Sequence, residues 1–495
     1  MRTVRRLVLV PSVLSVLSVL SVLSVLSVLA ASLGAAATSS GATPADPVTR
    51  PAAVERGAPG SWTKISTGNG SSAFDAGLLR TSDGVLHVVY PRVAPGNEGQ
   101  LGHAAIGASG GLVTQNTVLA DPWSVVDASP VLVDGPSGGL RVVFGGQRTT
   151  SPGFWSDGRM YTATAPASGS SWTLPAEAVG VSQLAYGSYG TAATTLADGT
   201  PVAAFPLNST ITWHTGTGND PDQSFDVAGC CAYDLAMVRS GNAVWLAWYG
   251  NGSAPSTNGT FVRQIAPTLG PVLKAPGSSS GADSLPTGRV ALAARTGGGV
   301  YAAYCTGYPT CAGVRLWKVG AAQAASVPGS AGATTIGLSR GPAGRLWVAW
   351  SDDRPRVEAV RTNPAATRFG AVRDLGAPKG RQTVYALAVE GSSNRGDVVV
   401  NTGDGFWHTQ ALAGLTLQAS PSSWRRTQRT QVRFSVTDAG AAVGGARVTV
   451  GSRRCTTSAA GTCRITFAPL AKATRLTARA TRSGYASGTR RLQVR

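Results

Sequence analysis

Three aspartates, Asp75, Asp127 and Asp234, each stand just ahead of a short apolar run: Ala76-Gly-Leu-Leu79, Pro130-Val-Leu-Val133 and Leu235-Ala-Met-Val238. If the three runs are equivalent elements, their carboxylates converge at one end of the molecule. Convergent carboxylates could bind a polyol, hold a cation, or serve as acid and base where their surroundings split their pKa values. Plain capping of the strand that follows is the alternative. Cys230 and Cys231 lie beside the third aspartate and belong to the same candidate site.

A second polar group, Asn219, Asp220, Asp222 and Asp226, offers hard oxygen ligands at close spacing and could hold Ca²⁺. The spacing does not follow the EF-hand loop, and a solvated loop competes with it. No other cofactor is expected. His103, His214 and His408 fall at similar places in different repeats, and His87 stands apart, so no compact His metal site is expected. No phosphate-binding Gly-Lys-Ser/Thr loop and no Gly-x-Ser-x-Gly nucleophile elbow stands out.

The elements that would position these groups are written in a repeat. Seven strands rich in Val, Ala and aromatic residues recur about every 50 residues, among them Val85-Leu-His-Val-Val-Tyr90, Val244-Trp-Leu-Ala-Trp248 and Leu346-Trp-Val-Ala-Trp350. Each follows an apolar partner across a Gly-containing turn, and most precede a third strand such as Ile211-Thr-Trp-His214 or Val314-Arg-Leu-Trp-Lys-Val319. Helical periodicity is nowhere sustained. Three to four strands per unit predict an all-β fold, a β-propeller of seven blades, or six if one hairpin is misassigned. The seventh unit has no evident fourth strand after Phe406-Trp-His-Thr409, and Ser61-Trp-Thr-Lys-Ile-Ser66 could supply it and so close the ring. Trp245, Trp248, Trp347 and Trp350 could stack on sugar rings, but their common strand phase predicts packing between blades.

The ends of the chain differ from this middle. Arg2, Arg5 and Arg6 precede six Ser-Val-Leu triplets and the small residues Ala35-Ala36-Ala37, which predicts a signal peptide over residues 1–37, with an uncleaved anchor as the alternative. Residues 38–60 read as a Pro/Ala-rich linker, residues 61–412 as the propeller, and residues 415–495 as a small β-sandwich. Export and an even cysteine count favour disulfides, paired as Cys230–Cys231, Cys305–Cys311 and Cys455–Cys463, the last two as staples of local hairpins. Two buried thiols or a longer bridge are the alternatives for Cys230 and Cys231.

Charge is unevenly placed. The chain carries 43 Lys+Arg against 24 Asp+Glu, yet Leu415–Arg495 alone holds 15 of the bases and one acid, Asp438. The middle is nearly neutral, so an electrostatic partner belongs to the tail. For an exported protein that partner is an anionic cell-wall or envelope polymer; specific nucleic-acid recognition and a membrane span after signal cleavage are not expected. A basic surface that only confers solubility is the competing reading.

The phrase Ala165-Pro-Ala-Ser-Gly-Ser-Ser-Trp172, set among Trp-rich second strands, resembles the Asp-box of sialidase-like β-propellers. Gly169 and Trp172 match the Ser-x-Asp-x-Gly-x-x-Trp pattern, whereas Ala165 and Ala167 replace its Ser and Asp. The family's Arg-Ile-Pro strand is absent, so its catalytic residues are not carried over. Gln431-Val-Arg-Phe-Ser-Val-Thr437 and Gly445-Ala-Arg-Val-Thr-Val450 resemble strands of bacterial Ig-like or prealbumin-like modules. The resemblance implies a secreted or envelope-associated propeller that binds a carbohydrate or cell-surface ligand. A sialidase-like glycoside hydrolase and a structural surface protein are the competing functions.

Overall fold

The computed structural model describes residues 61–66, 75–93, 99–119, 129–146, 158–175, 178–180, 190–207, 209–229, 232–278, 290–307, 310–354, 356–378 and 383–495. The expected signal peptide and linker, Asp127 and the Cys230–Cys231 pair lie outside these residues. No α-helix occurs among the described residues, which hold strands and two single 3₁₀ turns.

The first unit shows how the sequence builds a sheet. Gly77–Arg80, Leu86–Val93, Gly99–Ile106 and Leu112–Thr117 follow one another as an antiparallel meander. Leu86, Val88 and Tyr90 are buried on one face, and Val89 on the other packs against the next sheet, so both faces of the second strand are covered. This explains an unbroken apolar run where a half-exposed strand would alternate. Among the described residues six further antiparallel sheets follow before residue 415, and their innermost strands begin at Val131, Ala192, Ala232, Val290, Ala333 and Ala386. Each innermost strand lies against the next, and Ala386–Glu390 lies against Gly77–Arg80, so the sheets close a ring.

The last sheet takes its outermost strand from the start of the ring: Thr63 and Lys64 pair antiparallel with His408 and Trp407. A buried polar network fastens the same seam. Arg80 Nε donates to Glu390 Oε2 at 2.7 Å, and a second Arg80 nitrogen donates to Asp397. The other oxygen of Asp397 accepts from His408 Nε2 at 2.8 Å and Gln410 Nε2 at 2.9 Å. Burial alone would push the Asp397 carboxyl up; His408, Arg80 and Gln410 outweigh it and hold the carboxyl below its ordinary value.

The tryptophans fill the wedges between sheets. Trp248 packs tilted against Phe225 of the preceding sheet, with 5.5 Å between ring centroids. Trp347 is fully buried against the last sheet, where Gly391 and Gly396 leave the room: a Cβ on Gly391 would stand 2.4 Å from the indole.

Residues 416–494 form two more sheets that share one apolar core. Val432, Phe434 and Val436 of one sheet meet Val448, Ala478 and Leu492 of the other. Cys305–Cys311 staples the hairpin between Val300–Thr306 and Gly313–Lys318, as the local spacing predicts. Cys455–Cys463 is different. Cys455 lies in the sheet of Arg453–Thr456 and Cys463 in that of Thr462–Phe467, so this bridge ties two sheets at their edge and is not a hairpin staple. The tight turn at Ser458–Gly461 carries the chain from one sheet to the other, which eight residues of separation could not reveal.

This pair of sheets is seated on the ring. Ala413 and Gly414 pair with Tyr485 and Ala486, and Asp438, the single acid of the tail, is 1% exposed. Asp438 Oδ2 accepts from Arg361 and forms an ion pair with Arg345 at 3.3 Å, both arginines belonging to the ring. The Arg361 guanidinium also stacks 5.6 Å from the Tyr485 ring centroid.

Candidate functional site at the channel mouth

The seven innermost strands enclose a channel. At the end where these strands begin lies a cavity of about 270 Å³ with Asp75, Ser129 and Thr191 as its polar lining and Leu132, Met237 and Leu387 among its apolar walls. Leu132 and Met237 also line a second cavity of about 300 Å³ toward the other end, where Asp134, Arg239 and Arg340 stand.

Asp75 is placed by its neighbours on both sides of the ring seam. Its backbone N–H donates to Ser129 Oγ at 2.9 Å, which ties it to the second innermost strand, and the Leu387 backbone of the last sheet lies close enough to its carboxylate to favour the charged form. Oδ1 is buried and has no hydrogen-bond partner. Burial first, and the Asp234 charge second, push this carboxyl up to about 7, against the smaller pull of the Leu387 amide. Near neutral pH the group therefore both donates and accepts.

Asp234 acts on Asp75 from a local irregularity in its strand. The pairing of Ala232–Ser240 with Ala243–Asn251 slips between Tyr233 and Ala236, and Asp234 in this bulge has φ 49°, the left-handed region that Asp tolerates better than most side chains. A bulge re-aims the side chain it carries, at a strain of about 1–3 kcal/mol that persists only where the surrounding structure enforces it. Two of the three aspartates are thus brought within electrostatic reach of each other; Asp127 belongs to the segment outside the described residues.

Asp222 Oδ1 accepts from the buried His214 Nδ1 at 3.0 Å and lies against Gly180, where a Cβ would come within 2.1 Å of that oxygen. Asp226 Oδ1 accepts from Thr210 Oγ1 at 3.1 Å, and Asp220 is exposed. Among the described residues no three His, Cys, Asp or Glu side chains gather as a metal site would require.

Separation in the sequence concealed one cluster. His87 and His103 stack with ring centroids 5.2 Å apart and share a hydrogen bond of 2.9 Å between Nδ1 and Nε2. Asn116 Nδ2 donates to Gly169 O at 2.7 Å, so its Oδ1 takes the proton of His103 Nδ1 at 2.7 Å and leaves His103 Nε2 to accept from His87. Both rings are then neutral. Burial, with His87 adding a smaller push and Asn116 opposing, brings His103 down to about 4; burial also lowers His87. The readable signal was the hairpin register, which places Ala105 opposite His87 and Val89 opposite His103. The pair packs beneath the turn at Gly169 and Trp172.

No family model matches the chain, and no curated protein matches it in sequence. Among solved structures it is similar to the Hadza microbial sialidase Hz136, with 11% identity and a TM-score of 0.41 over 68% of this chain and 65% of that one. It is also similar to a PL25 ulvan lyase, with 11% identity and a TM-score of 0.39 over 72% and 95% of the two chains. A third is a puromycin-hydrolysing peptidase of Mycobacterium tuberculosis, with 9% identity and a TM-score of 0.42 over 85% and 61%. The chain thus spans less than two thirds of the length of the sialidase and of the peptidase.

Proposed function

We propose that the ring is a seven-bladed, sialidase-like propeller, that residues 415–495 are an Ig-like sandwich, and that the channel mouth binds an extracellular carbohydrate or another polyhydroxylated cell-surface ligand. In this reading residues 1–37 direct export, and the cationic sandwich holds the protein on an anionic envelope polymer. The observation that carries the ligand site is the buried, unpartnered Oδ1 of Asp75 beside Asp234 at the wall of an open cavity. An orphaned buried acceptor costs about 1–3 kcal/mol, and a ligand rich in hydroxyl donors removes that cost on binding. Apolar walls with a few convergent polar groups are the usual make-up of a small-ligand site. Two disulfides support an oxidising location, and no helix of the described residues is long and apolar enough to cross a membrane.

One observation favours a second reading, glycoside hydrolysis. A carboxyl raised to about 7 next to a second carboxylate is the pattern of a general acid paired with a base or nucleophile. A glycan-array scan of the secreted protein, run beside turnover of fluorogenic glycosides, separates the two. Binding without turnover, lost in Asp234→Asn, supports recognition; turnover abolished in Asp75→Asn and Asp234→Asn supports hydrolysis. Silence in both assays refutes each and leaves a structural surface protein.

A further inference from the structure

The outer face of one C-terminal sheet is a lattice of arginine and threonine. In the strands Arg447–Val450, Arg453–Thr456, Thr474–Thr481 and Gly488–Val494 the outward positions carry Arg447, Arg454, Arg475, Arg479 and Arg491, all exposed. Cross-strand register never sets one of them opposite another. Arg454 and Arg479 both face Thr449, Arg447 faces Thr456 and Thr481, Arg491 faces Thr477, and Arg475 faces Gln493. Like charges directly opposite would destabilise the pairing, and this placement avoids that while leaving the face entirely cationic.

Local neutralisation is missing. The only acid of residues 415–495 is Asp438, buried at the seat on the ring, and of the five arginines only Arg479 has a partner within the described residues, Ser487 Oγ at 3.0 Å. Two strand spacings separate Arg454 from Arg479, about 10 Å, and four residues separate Arg475 from Arg479, about 13 Å along the strand. These are intervals that a linear polymer can span with successive charges.

We propose that this face binds a linear anionic polysaccharide, its carboxylate or sulfate groups taken by the guanidinium forks and its hydroxyls by the intervening threonines. The proposal deepens the envelope-attachment half of the function above and is independent of the channel. The outward positions of these strands carry no aromatic side chain on which bases could stack. Nor do they carry a large apolar side chain to enter a bilayer. Charge complementarity and hydroxyl spacing on a flat surface suit a glycan.

The test is binding of the full chain to immobilised heparin and to polygalacturonate as a function of salt. A sulfated and a carboxylated glycan distinguish which anion is preferred, and binding to either supports the proposal. Arg475→Gln/Arg491→Gln is expected to weaken binding roughly tenfold at physiological salt and to lower the slope of log K against log salt by about two, one per arginine. Arg433→Gln/Arg464→Gln removes the same charge from the other sheet, where these two residues pair, and is expected to change affinity less than about twofold. Both double variants keep the channel residues intact, so the difference between them reads this face alone and failure at the channel reads separately. Equal weakening by the two double variants would overturn the proposal, as would tighter binding to duplex DNA or to phosphatidylserine vesicles than to either glycan, or no glycan binding at all.

Discussion

Asp75→Asn is expected to stabilise the protein, and increasingly so as the pH rises. The folded chain holds the Asp75 proton up to about pH 7, whereas the ordinary value is 3.8, so between these two limits the native state binds more protons than the unfolded one. Stability from this group is therefore complete below about 3.8 and lost as pH climbs through 7. The difference of about 3 pKa units corresponds to ~4 kcal/mol in all. About 2.5 kcal/mol of that is still present at pH 5, and almost none at pH 8. Asparagine keeps the shape without the charge, so the stability gained by the variant should be ~2–3 kcal/mol larger at pH 8 than at pH 5. Urea unfolding followed by tryptophan fluorescence at both pH values measures it. A variant whose effect is the same at the two values, or that loses more stability at pH 8, would refute the burial and charge coupling assigned to Asp75.

Two further outcomes follow from groups away from the channel. His103 is held neutral down to about 4, so the unfolded chain binds more protons between 6.5 and 4, and stability drops as pH falls through that window. The loss is ~3 kcal/mol, and in His103→Gln the urea midpoint should vary much less between pH 7 and pH 4; an unchanged pH dependence would contradict the neutral pair. Asp438→Asn leaves the Arg361 and Arg345 guanidiniums at the seat without their carboxylate, a change of about 3–5 kcal/mol for a buried pair. Calorimetry should then resolve a separate, earlier transition of the C-terminal sheets, and a single transition at the original temperature would show that the seat does not depend on this acid.

Much of the ring was legible because its information is local. Alternating and continuous apolar runs report which faces a strand buries, so Leu346-Trp-Val-Ala-Trp350 announced a doubly covered strand before any partner was known. The pairing of Thr63 and Lys64 with the last sheet followed from counting strands against the need to close an edge. The same reading set Asp75 just ahead of an innermost strand, and it lines the cavity there, whereas Asp234 falls within its strand, Ala232–Ser240.

What stayed hidden depends on register or on distant pairing. The bulge that carries Asp234 is a one-residue slip, and Tyr233-Asp-Leu-Ala236 carries no glycine or proline to mark it. His87 and His103 meet only once the hairpin register is fixed. Cys455 and Cys463 sit close enough in sequence for a hairpin, and only tertiary layering reveals that they join two sheets. Asp438 offered a clue that composition could raise but not resolve: a lone acid in a cationic module has an electrostatic reason to be there, and its partners are 77 residues away at Arg361 and farther still at Arg345.

The channel mouth as a hydroxyl-binding site is tested most directly by the pH dependence of glycan affinity. The tightest-binding glycan from the array would be titrated from pH 5.5 to 8.5 against the unaltered protein and Asp75→Asn. Ionised Asp75 is the better acceptor, so affinity should rise through a midpoint near 7 and the rise should vanish in the variant. A flat profile, or the same rise in Asp75→Asn, would contradict the assignment of Asp75 to the ligand.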